Sequence, residues 1–233
     1  MHRLRRLLPK FPRHLIALMA LSLGLSSCVA VHYPVTPEMA ANLKPGEGLI
    51  VATFSAKSFT RSGETIAGSG RAQVNVKKED TGELAILIPH VMPVNRNPYL
   101  MGGGNASEVV AIPVPAGNYS ITGWTIQDQA VTASVTFSNR LPMNVPLQVR
   151  PGEATYAGRI HPVSIYGKNI IGMRVPGQAF VIITDEYAED ASKISKAYPS
   201  IRRASIRKSN VAEDYKKEMI RIADTPSKFL GLF

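Results

Sequence analysis

Short apolar segments separated by turns run from residue 47 to residue 185, and this pattern constrains the possible fold more than any other feature. Most of these segments alternate apolar and polar side chains, which places the apolar ones on one face of a β-strand. Turn signals, such as Asp-Thr-Gly at residues 80–82, lie between them. The segments are residues 48–56, 71–78, 83–89, 107–115, 119–127, 131–138, 143–149, 153–163 and 179–185. We expect a mainly β domain of about eight strands, an antiparallel sandwich or barrel, with the antiparallel β-sandwich favoured.

Beyond residue 185 the apolar spacing changes to three or four residues, which is the period of an amphipathic α-helix. The positions with this spacing are Ala188, Ala191, Ile194 and Tyr198. Pro199 ends this predicted helix. A second helix is predicted from Asn210, and its apolar positions are Val211, Tyr215, Met219 and Ile222. The sequence thus predicts a β domain over residues 47–185 and a C-terminal extension of two short helices over residues 186–233.

Residues 1–27 have the composition of an export signal. Residues 1–14 are basic, residues 15–25 are uniformly apolar, and two serines follow. The apolar run is shorter than the roughly 20 residues that span a bilayer, so a cleaved signal peptide is favoured over a membrane helix. The leader also carries part of the formal net charge of +10. The total charge therefore gives no support to nucleic-acid binding, and we expect no nucleic-acid partner.

Cys28 is the single cysteine of the chain and follows this leader directly. One cysteine forms neither an internal disulfide nor a multi-cysteine zinc site. The motif Leu25-Ser26-Ser27-Cys28 resembles the lipobox of bacterial lipoproteins. The resemblance implies lipidation of the Cys28 sulfur, cleavage between Ser27 and Cys28, and acylation of the new amino group. Several acyl chains hold a protein on a bilayer effectively permanently. The alternative is an ordinary export signal near which Cys28 is incidental.

The lipoprotein resemblance has consequences for the location of the chain. It implies a protein of the bacterial cell envelope that is attached to the lipid bilayer through acylated Cys28. Val29 follows the cysteine where an aspartate would retain a lipoprotein at the inner membrane, so the outer membrane, facing the periplasm, is favoured. The proline-containing residues 28–46 are expected to be a tether with little regular structure.

Two tyrosine motifs carry a second resemblance. Residues 113–119, Pro-Val-Pro-Ala-Gly-Asn-Tyr, and residues 150–158, Arg-Pro-Gly-Glu-Ala-Thr-Tyr-Ala-Gly, are similar to a pattern in uncharacterised β-sandwich lipoproteins of the bacterial envelope. The glycines are expected in turns. Tyr119 and Tyr156 are expected to pack against the core with their hydroxyls at its edge. The motif therefore supports the fold more than any function.

No motif of a catalytic or metal-binding site stands out. The histidines lack an H-x-x-x-H or H-x-H partner, and no G-x-S-x-G elbow occurs. The histidines after the leader are His32, His90 and His161, each expected at the surface or at a strand end. We expect no catalytic residue, no metal and no cofactor. A hydrolase whose residues meet only in three dimensions remains an alternative, with His90 and His161 as its candidate histidines.

Two features are candidate binding surfaces. A basic run could meet lipid headgroups, peptidoglycan or an acidic envelope protein, or be a solvated face; it consists of Arg202, Arg203, Arg207 and Lys208. Trp124 could stack on a glycan or a small ligand, or lie in the core. The leading expectation is a non-enzymatic, membrane-anchored lipoprotein with a structural or interaction role. The alternatives are a glycan- or small-ligand-binding module and the hydrolase.

Overall fold

The computed structural model describes residues 29–66, 71–89, 107–129, 134–202 and 205–209. From Val31 onward these residues belong to one compact unit, in which strands predominate, so the mainly β prediction is confirmed. The strands are β1 (Val31–His32), β2 (Glu47–Phe54), β3 (Lys57–Thr60), β4 (Arg71–Lys78), β5 (Leu84–Leu87), β6 (Glu108–Pro115), β7 (Gly117–Gln129), β8 (Ser134–Ser138), β9 (Val145–Val149), β10 (Ala154–Lys168), β11 (Arg174–Thr184) and β12 (Ile206–Lys208). The helices are α1 (Pro37–Ala40) and α2 (Tyr187–Ala197).

The strands form two six-stranded sheets of mixed direction. The first sheet has the order β1-β5-β4-β7-β8, and β9 also pairs with β7. The second has the order β11-β10-β2-β6, and β3 and β12 also pair with β10. The prediction of about eight purely antiparallel strands is wrong, because β10 runs parallel to β2, β3 and β12, and β1 runs parallel to β5. The strands β1 and β3 were not predicted, and residues 201–209, which contain β12, were open between a short strand and a loop. All three strands are too short to show a period.

Both sheets contribute alternate side chains to one hydrophobic core. The second sheet supplies Ile50, Phe54, Ile112, Ile160 and Ile183, among others. The first sheet supplies Val74, Leu87, Ile121, Ile126 and Leu147, among others. Each of these side chains is at most 3% exposed. The period-two pattern identified the buried face of β4 and of the start of β7, whereas in β5 Leu87 is buried and the alternating Leu84 and Ile86 lie on the other face.

A second apolar cluster lies on the other face of the second sheet, around the first half of β10. There, Ala191 and Ile194 of α2 join side chains of the sheet that include Val51 and Tyr156. The predicted first C-terminal helix is therefore confirmed and covers this part of the sheet, whereas the predicted second helix lies outside the described residues. Within those residues, no helix has the length and apolarity needed to cross a bilayer.

The segment before β2 differs from the free tether that the prolines suggested. Val35 and Ala40 are buried in this second cluster. The Val35 N–H donates to the Ala111 carbonyl oxygen at 3.0 Å, and the Tyr198 hydroxyl donates to the Val35 carbonyl oxygen at 3.0 Å. The prolines are accommodated because this stretch forms only a two-residue strand and one helical turn. The chain is thus attached to the domain from β1 onward.

The two tyrosine motifs have the local roles that the sequence predicted. Tyr119 is fully buried, and its hydroxyl donates to the Pro115 carbonyl oxygen at 2.7 Å, at the turn between the two sheets. Tyr156 is 1% exposed, and its hydroxyl reaches the carboxylate of Asp190 on α2. Gly152 occupies the turn before β10 with a φ of +70°, which side chains other than glycine rarely adopt.

Candidate functional site: a cleft on the outer face of the second sheet

Helix α2 covers only the first half of β10, and a cleft of about 1310 Å³ lies on the same face beyond it. Strand register places its residues side by side. Val163 pairs with Phe180 of β11 and with Lys57 of β3. Ile165 pairs in the same way with Gln178 and Phe59. Paired residues share a face of a sheet, so β3, β10 and β11 together build the floor of this outer-face cleft.

The floor of the outer-face cleft is largely apolar. Its apolar members are Phe59, Val163, Ile165, Val175, Phe180 and Ile182. All of them except Val163 are only half-buried. The neighbouring β11 residues Val181 and Ile183 point into the core, so both faces of this strand carry large apolar side chains. An open apolar surface of this kind is typical of a binding site.

Cations surround this floor. Four cationic side chains of the lining take part in no ion pair within the described residues: Lys57, Arg61, Lys168 and Arg174. The carboxylates of the lining are those of Glu64, Glu186 and Glu189. Glu189 and Glu186 lie 3.0 Å and 4.0 Å from guanidinium nitrogens of Arg159, which also pairs with Asp190. With Arg159 and Lys193 included, the cationic side chains of the lining outnumber its carboxylates, so the net charge of the cleft is positive.

A buried ion cluster closes the cleft on the side of α2; we use this name for Arg159, Asp190, Tyr156, Glu189 and Lys193. The Asp190 carboxylate is fully buried. It accepts hydrogen bonds from Arg159 Nε at 3.1 Å, from a terminal Arg159 nitrogen and from the Tyr156 hydroxyl at 2.6 Å. Lys193 Nζ lies 3.7 Å away. These contacts join β10 to α2.

The electrostatics of the buried ion cluster favour a charged Asp190. Burial alone would raise the pKa of its carboxyl, but the hydrogen bonds from Arg159 and Tyr156 outweigh burial and hold this pKa below its ordinary value. Burial and the Asp190 charge together raise the pKa of Tyr156. The cluster is therefore a structural ion pair in its charged form, which fixes α2 beside the cleft.

A bulge in β10 lies beside the buried ion cluster. The pairing with β2 shifts between Tyr156 and Arg159, where Gly158 has a φ of +107°. A Cβ on Gly158 would come within 2.6 Å of the Ile183 side chain. Only glycine fits such a conformation and such a close approach without strain. The bulge therefore sets the register in which Arg159 meets Asp190.

His161 lies on the cleft beside Arg159 and is 9% exposed, rather than at the surface or a strand end as expected. Its Nδ1 is 3.3 Å from the Ser55 carbonyl oxygen, and its Nε2 is 3.0 Å from the Thr184 hydroxyl. Burial lowers the pKa of the imidazole, and the nearby charges of Lys57 and Arg159 lower it further. A neutral imidazole that donates from Nδ1 and accepts at Nε2 satisfies both contacts. His161 thus helps to shape the cleft and has no carboxylate partner of the triad kind in the described part of the chain.

The predicted basic run does not form a continuous free patch. Arg207 makes an ion pair with Glu153, and Lys208 makes one with Asp185. Arg202 is exposed, and Arg203 lies outside the described residues. Arg202, Arg207 and Lys208 do not line the outer-face cleft, whose cations Lys57, Arg61, Lys168 and Arg174 lie on β3, in the loop after it and on either side of the β10–β11 turn.

Trp124 lies in the core between the two sheets and is 8% exposed. Its backbone N–H donates a hydrogen bond to Asn139 Oδ1 at 3.0 Å. The core interpretation thus matches its position, and its ring does not line the cleft. The other predicted site residues, Ser27, Cys28 and His90, lie outside the described residues.

Asp128 of β7 is a second fully buried carboxylate. Burial raises its pKa, and the nearby hydroxyls of Ser164 and Tyr166 offset only part of that rise. The charged form is thus disfavoured in the folded chain. Elsewhere in the described residues, no group of three His, Cys, Asp or Glu side chains is close enough to hold a metal ion.

We expect Asp128→Asn to stabilise the domain at neutral pH. The pKa of Asp128 in the folded chain is raised above the ordinary 3.8. The wild-type carboxyl therefore does not lower the free energy of unfolding below pH 3.8, and it lowers that free energy as the pH rises through the folded pKa. The gain should reach about 1.4 kcal/mol for each pH unit by which the folded pKa exceeds the unfolded value. Denaturant unfolding at several pH values, from about 3.5 to about 7, measures this gain in the free energy of unfolding across the titration of the carboxyl group. The exposed Asp80→Asn is the control, and a loss of stability in Asp128→Asn at every pH contradicts this account.

Comparison with known proteins identifies no family. No family model matches the chain, and no curated protein matches it. Among solved structures, a leucine-rich repeat protein from Bacteroides thetaiotaomicron VPI-5482 is similar over 66% of this chain, with a TM-score of 0.29 and 14% identity. The chain spans only 16% of the length of that protein. A likeness at this level supports no argument about function, which therefore depends on the cleft itself.

Proposed function

We propose that this chain is a non-enzymatic lipoprotein of the bacterial cell envelope, anchored through Cys28, whose folded domain binds a partner in the outer-face cleft. The occupant is an acidic, partly apolar segment of a partner protein. The observation that supports this function is the combination of an apolar floor with cations that have no ion-pair partner in the described residues. Such a surface attracts an acidic ligand and then buries its apolar side chains.

The dimensions of the cleft favour a protein segment over a small ligand. Small-molecule sites typically measure about 300–1,000 Å³ and enclose most of the ligand. The outer-face cleft is larger, at about 1310 Å³, and it lies open along three strands. The aromatic rings of its floor, Phe59 and Phe180, are half-buried among aliphatic neighbours, which suits apolar side chains better than a stacked sugar.

Photo-crosslinking in intact cells tests the proposed function. A photoreactive residue at Gln178, an exposed cleft position, should yield one discrete adduct with another envelope protein. The same residue at Gln148, an exposed glutamine on β9, should not. Because cations attract the partner, the double substitution Lys57→Glu and Arg61→Glu should reduce the adduct by about tenfold.

Two results would reject the cleft as the binding site. One is an adduct pattern that is the same from Gln178 and from Gln148. The other is a yield from Gln178 that is unaffected by Lys57→Glu and Arg61→Glu. Circular dichroism of the double variant checks that the fold is retained. Because Lys57 and Arg61 are both exposed, the two substitutions should change the free energy of unfolding by no more than about 0.5 kcal/mol.

A further inference from the structure

The hairpin between β10 and β11 has an exposed apolar end, which we call the hairpin tip (residues 169–173). Ile170 is 94% exposed, Ile171 is 70% exposed and Met173 is 38% exposed. A single exposed apolar side chain is ordinary in a soluble domain. Three of them on one turn form a patch of the kind that marks an interaction surface.

Four of the five backbone N–H groups of the hairpin tip, all except that of Ile170, donate hydrogen bonds within the turn. The Asn169 N–H donates to the Met173 carbonyl oxygen, and the Gly172 N–H donates to the Asn169 carbonyl oxygen, both at 2.9 Å. The Asn169 side-chain oxygen accepts the N–H groups of Ile171 at 3.2 Å and of Met173 at 2.9 Å. These four amide groups need no water. Internal bonding of this kind lowers the cost of moving an apolar turn from water toward lipid.

The strands that carry the hairpin tip are cationic where they meet it. Lys168 ends β10 and Arg174 begins β11, and both side chains are exposed. Residues 160–184, which include the whole of the hairpin tip, contain no aspartate or glutamate. Apolar side chains flanked by lysine and arginine are typical of segments that bind anionic membranes, because the cations meet the headgroups while the apolar side chains pass them.

We propose that the hairpin tip inserts into an anionic lipid surface. Ile170, Ile171 and Met173 enter the boundary between headgroups and acyl chains, and Lys168 and Arg174 contact the headgroups. The lysine and the arginine on either side of the turn, with no acidic residue between positions 160 and 184, favour an anionic lipid surface over a pocket on a protein. This inference goes beyond the proposed function and does not depend on the outer-face cleft having a partner.

The hairpin tip lies far from the point where the chain joins the domain. The N–H of Val35, just after β1, donates to the carbonyl oxygen of Ala111 on β6. Ala111 pairs with Val51 of β2, which in turn pairs with Tyr156 near the start of β10. From Tyr156 to Lys168 the strand extends for about 40 Å at 3.3 Å per residue. The hairpin tip is thus a contact with lipid that is separate from any anchor that precedes residue 31.

A fluorescent probe tests the insertion. The full chain, purified as cells process it, carries Ile171→Cys labelled with an environment-sensitive dye. Vesicles of phosphatidylcholine alone are compared with vesicles that also contain phosphatidylglycerol. We expect the dye emission to rise and shift to shorter wavelength with the anionic vesicles. Ile170→Ser should reduce the size of this spectral change by about tenfold, and Lys168→Glu should reduce it by about fivefold or more. The spectral change is compared because acyl chains on Cys28 would hold the chain on either kind of vesicle.

Met39→Cys, labelled in the same way, is the matched control, because Met39 is 59% exposed on α1 and lies outside the hairpin. The wild-type chain treated with the same dye gives the background from Cys28. An equal response at positions 39 and 171, or no response at position 171 with anionic vesicles, overturns the proposal. A photoreactive residue at position 171 that captures a protein while vesicles give no response assigns the hairpin tip to a protein contact instead.

Discussion

Replacing Arg159 by alanine is expected to lower the free energy of unfolding by about 3 kcal/mol, since one partner of a buried pair is removed and the other remains. Asp190 is fully buried and would lose its bidentate guanidinium contact. Tyr156 and Lys193 would remain as its neighbours, which keeps the loss near the lower limit for such pairs. Denaturant unfolding followed by circular dichroism measures the difference.

The pH dependence separates this effect from a simple loss of packing. In the wild type, the pKa of Asp190 is held below 3.8, so the stability that the ion pair supplies is present above that pH and is lost as pH falls through the folded pKa. Without Arg159, burial dominates and raises the pKa of Asp190, so the charged carboxylate is penalised. The stability deficit of Arg159→Ala should therefore be largest at neutral pH and should shrink below about pH 4.

Arg140→Ala is the matched control, because Arg140 is exposed and lies outside the buried ion cluster. It should change the free energy of unfolding by no more than about 0.5 kcal/mol. A deficit of Arg159→Ala that stays constant from acid to neutral pH would show that the lost guanidinium stabilises the fold through its packing, and the electrostatic account of the cluster would be wrong.

Cys28→Ala is expected to abolish acylation of the chain and, with it, the permanent part of its membrane attachment. If Cys28 is acylated as proposed, alanine offers neither the sulfur nor the processing site, and no acyl chain can be added. Several acyl chains make the wild-type attachment effectively permanent, so the wild-type chain should fractionate wholly with membranes. The alanine variant should carry no lipid label, and its signal should not be cleaved in the wild-type manner. Incorporation of a labelled fatty acid and mass spectrometry of the N-terminus measure the change directly.

Ser27→Ala provides the control for this experiment, because alanine keeps a small residue before the cysteine. It should leave lipidation, cleavage and membrane attachment unchanged. A Cys28→Ala chain that stays membrane-bound at unchanged size, or a wild-type chain whose N-terminal residue carries no acyl group, would contradict the proposed anchor. Both outcomes leave the fold and the outer-face cleft as described, so the anchor and the binding site are tested separately.

Strands with one buried face could be read from the sequence. The predicted residues 71–78 coincide with β4, and the predicted residues 107–115 differ from β6 by one residue. In both strands the alternate side chains Val74, Val76, Val110 and Ile112 lie in the core. The period of two is a local property, and burial of one face is enough to produce it.

The strands β1, β3 and β12 could not be predicted in this way. They contain two, four and three residues, and β10 or β5 supplies the partner from far along the chain. Their conformation is set by an edge that only the folded chain creates. The parallel pairing of β2 with β10 was missed for the same reason, because direction depends on the path of the chain and leaves no mark on the period of either strand.

The outer-face cleft left one trace in the sequence. Residues 179–183, Ala-Phe-Val-Ile-Ile, are apolar without alternation, which indicates a strand with apolar contacts on both faces. The rest of the site could not be foreseen, since Arg159 and Asp190 are 31 residues apart and each resembles an ordinary surface charge. The basic run of the sequence pointed instead to Arg207 and Lys208, whose carboxylate partners Glu153 and Asp185 are also far away along the chain.

The position of β11 at the end of the second sheet has a consequence for self-association. Within the described residues its backbone pairs only with β10, so its other side offers hydrogen-bonding groups to any extended chain. Pro176 lies in this strand and has no N–H, which interrupts the row of donors that a second molecule would need. The proline thus disfavours edge-to-edge aggregation of a sheet rich in isoleucine and valine. The longest stretch of the β11 edge without a proline runs from Gly177 to Thr184.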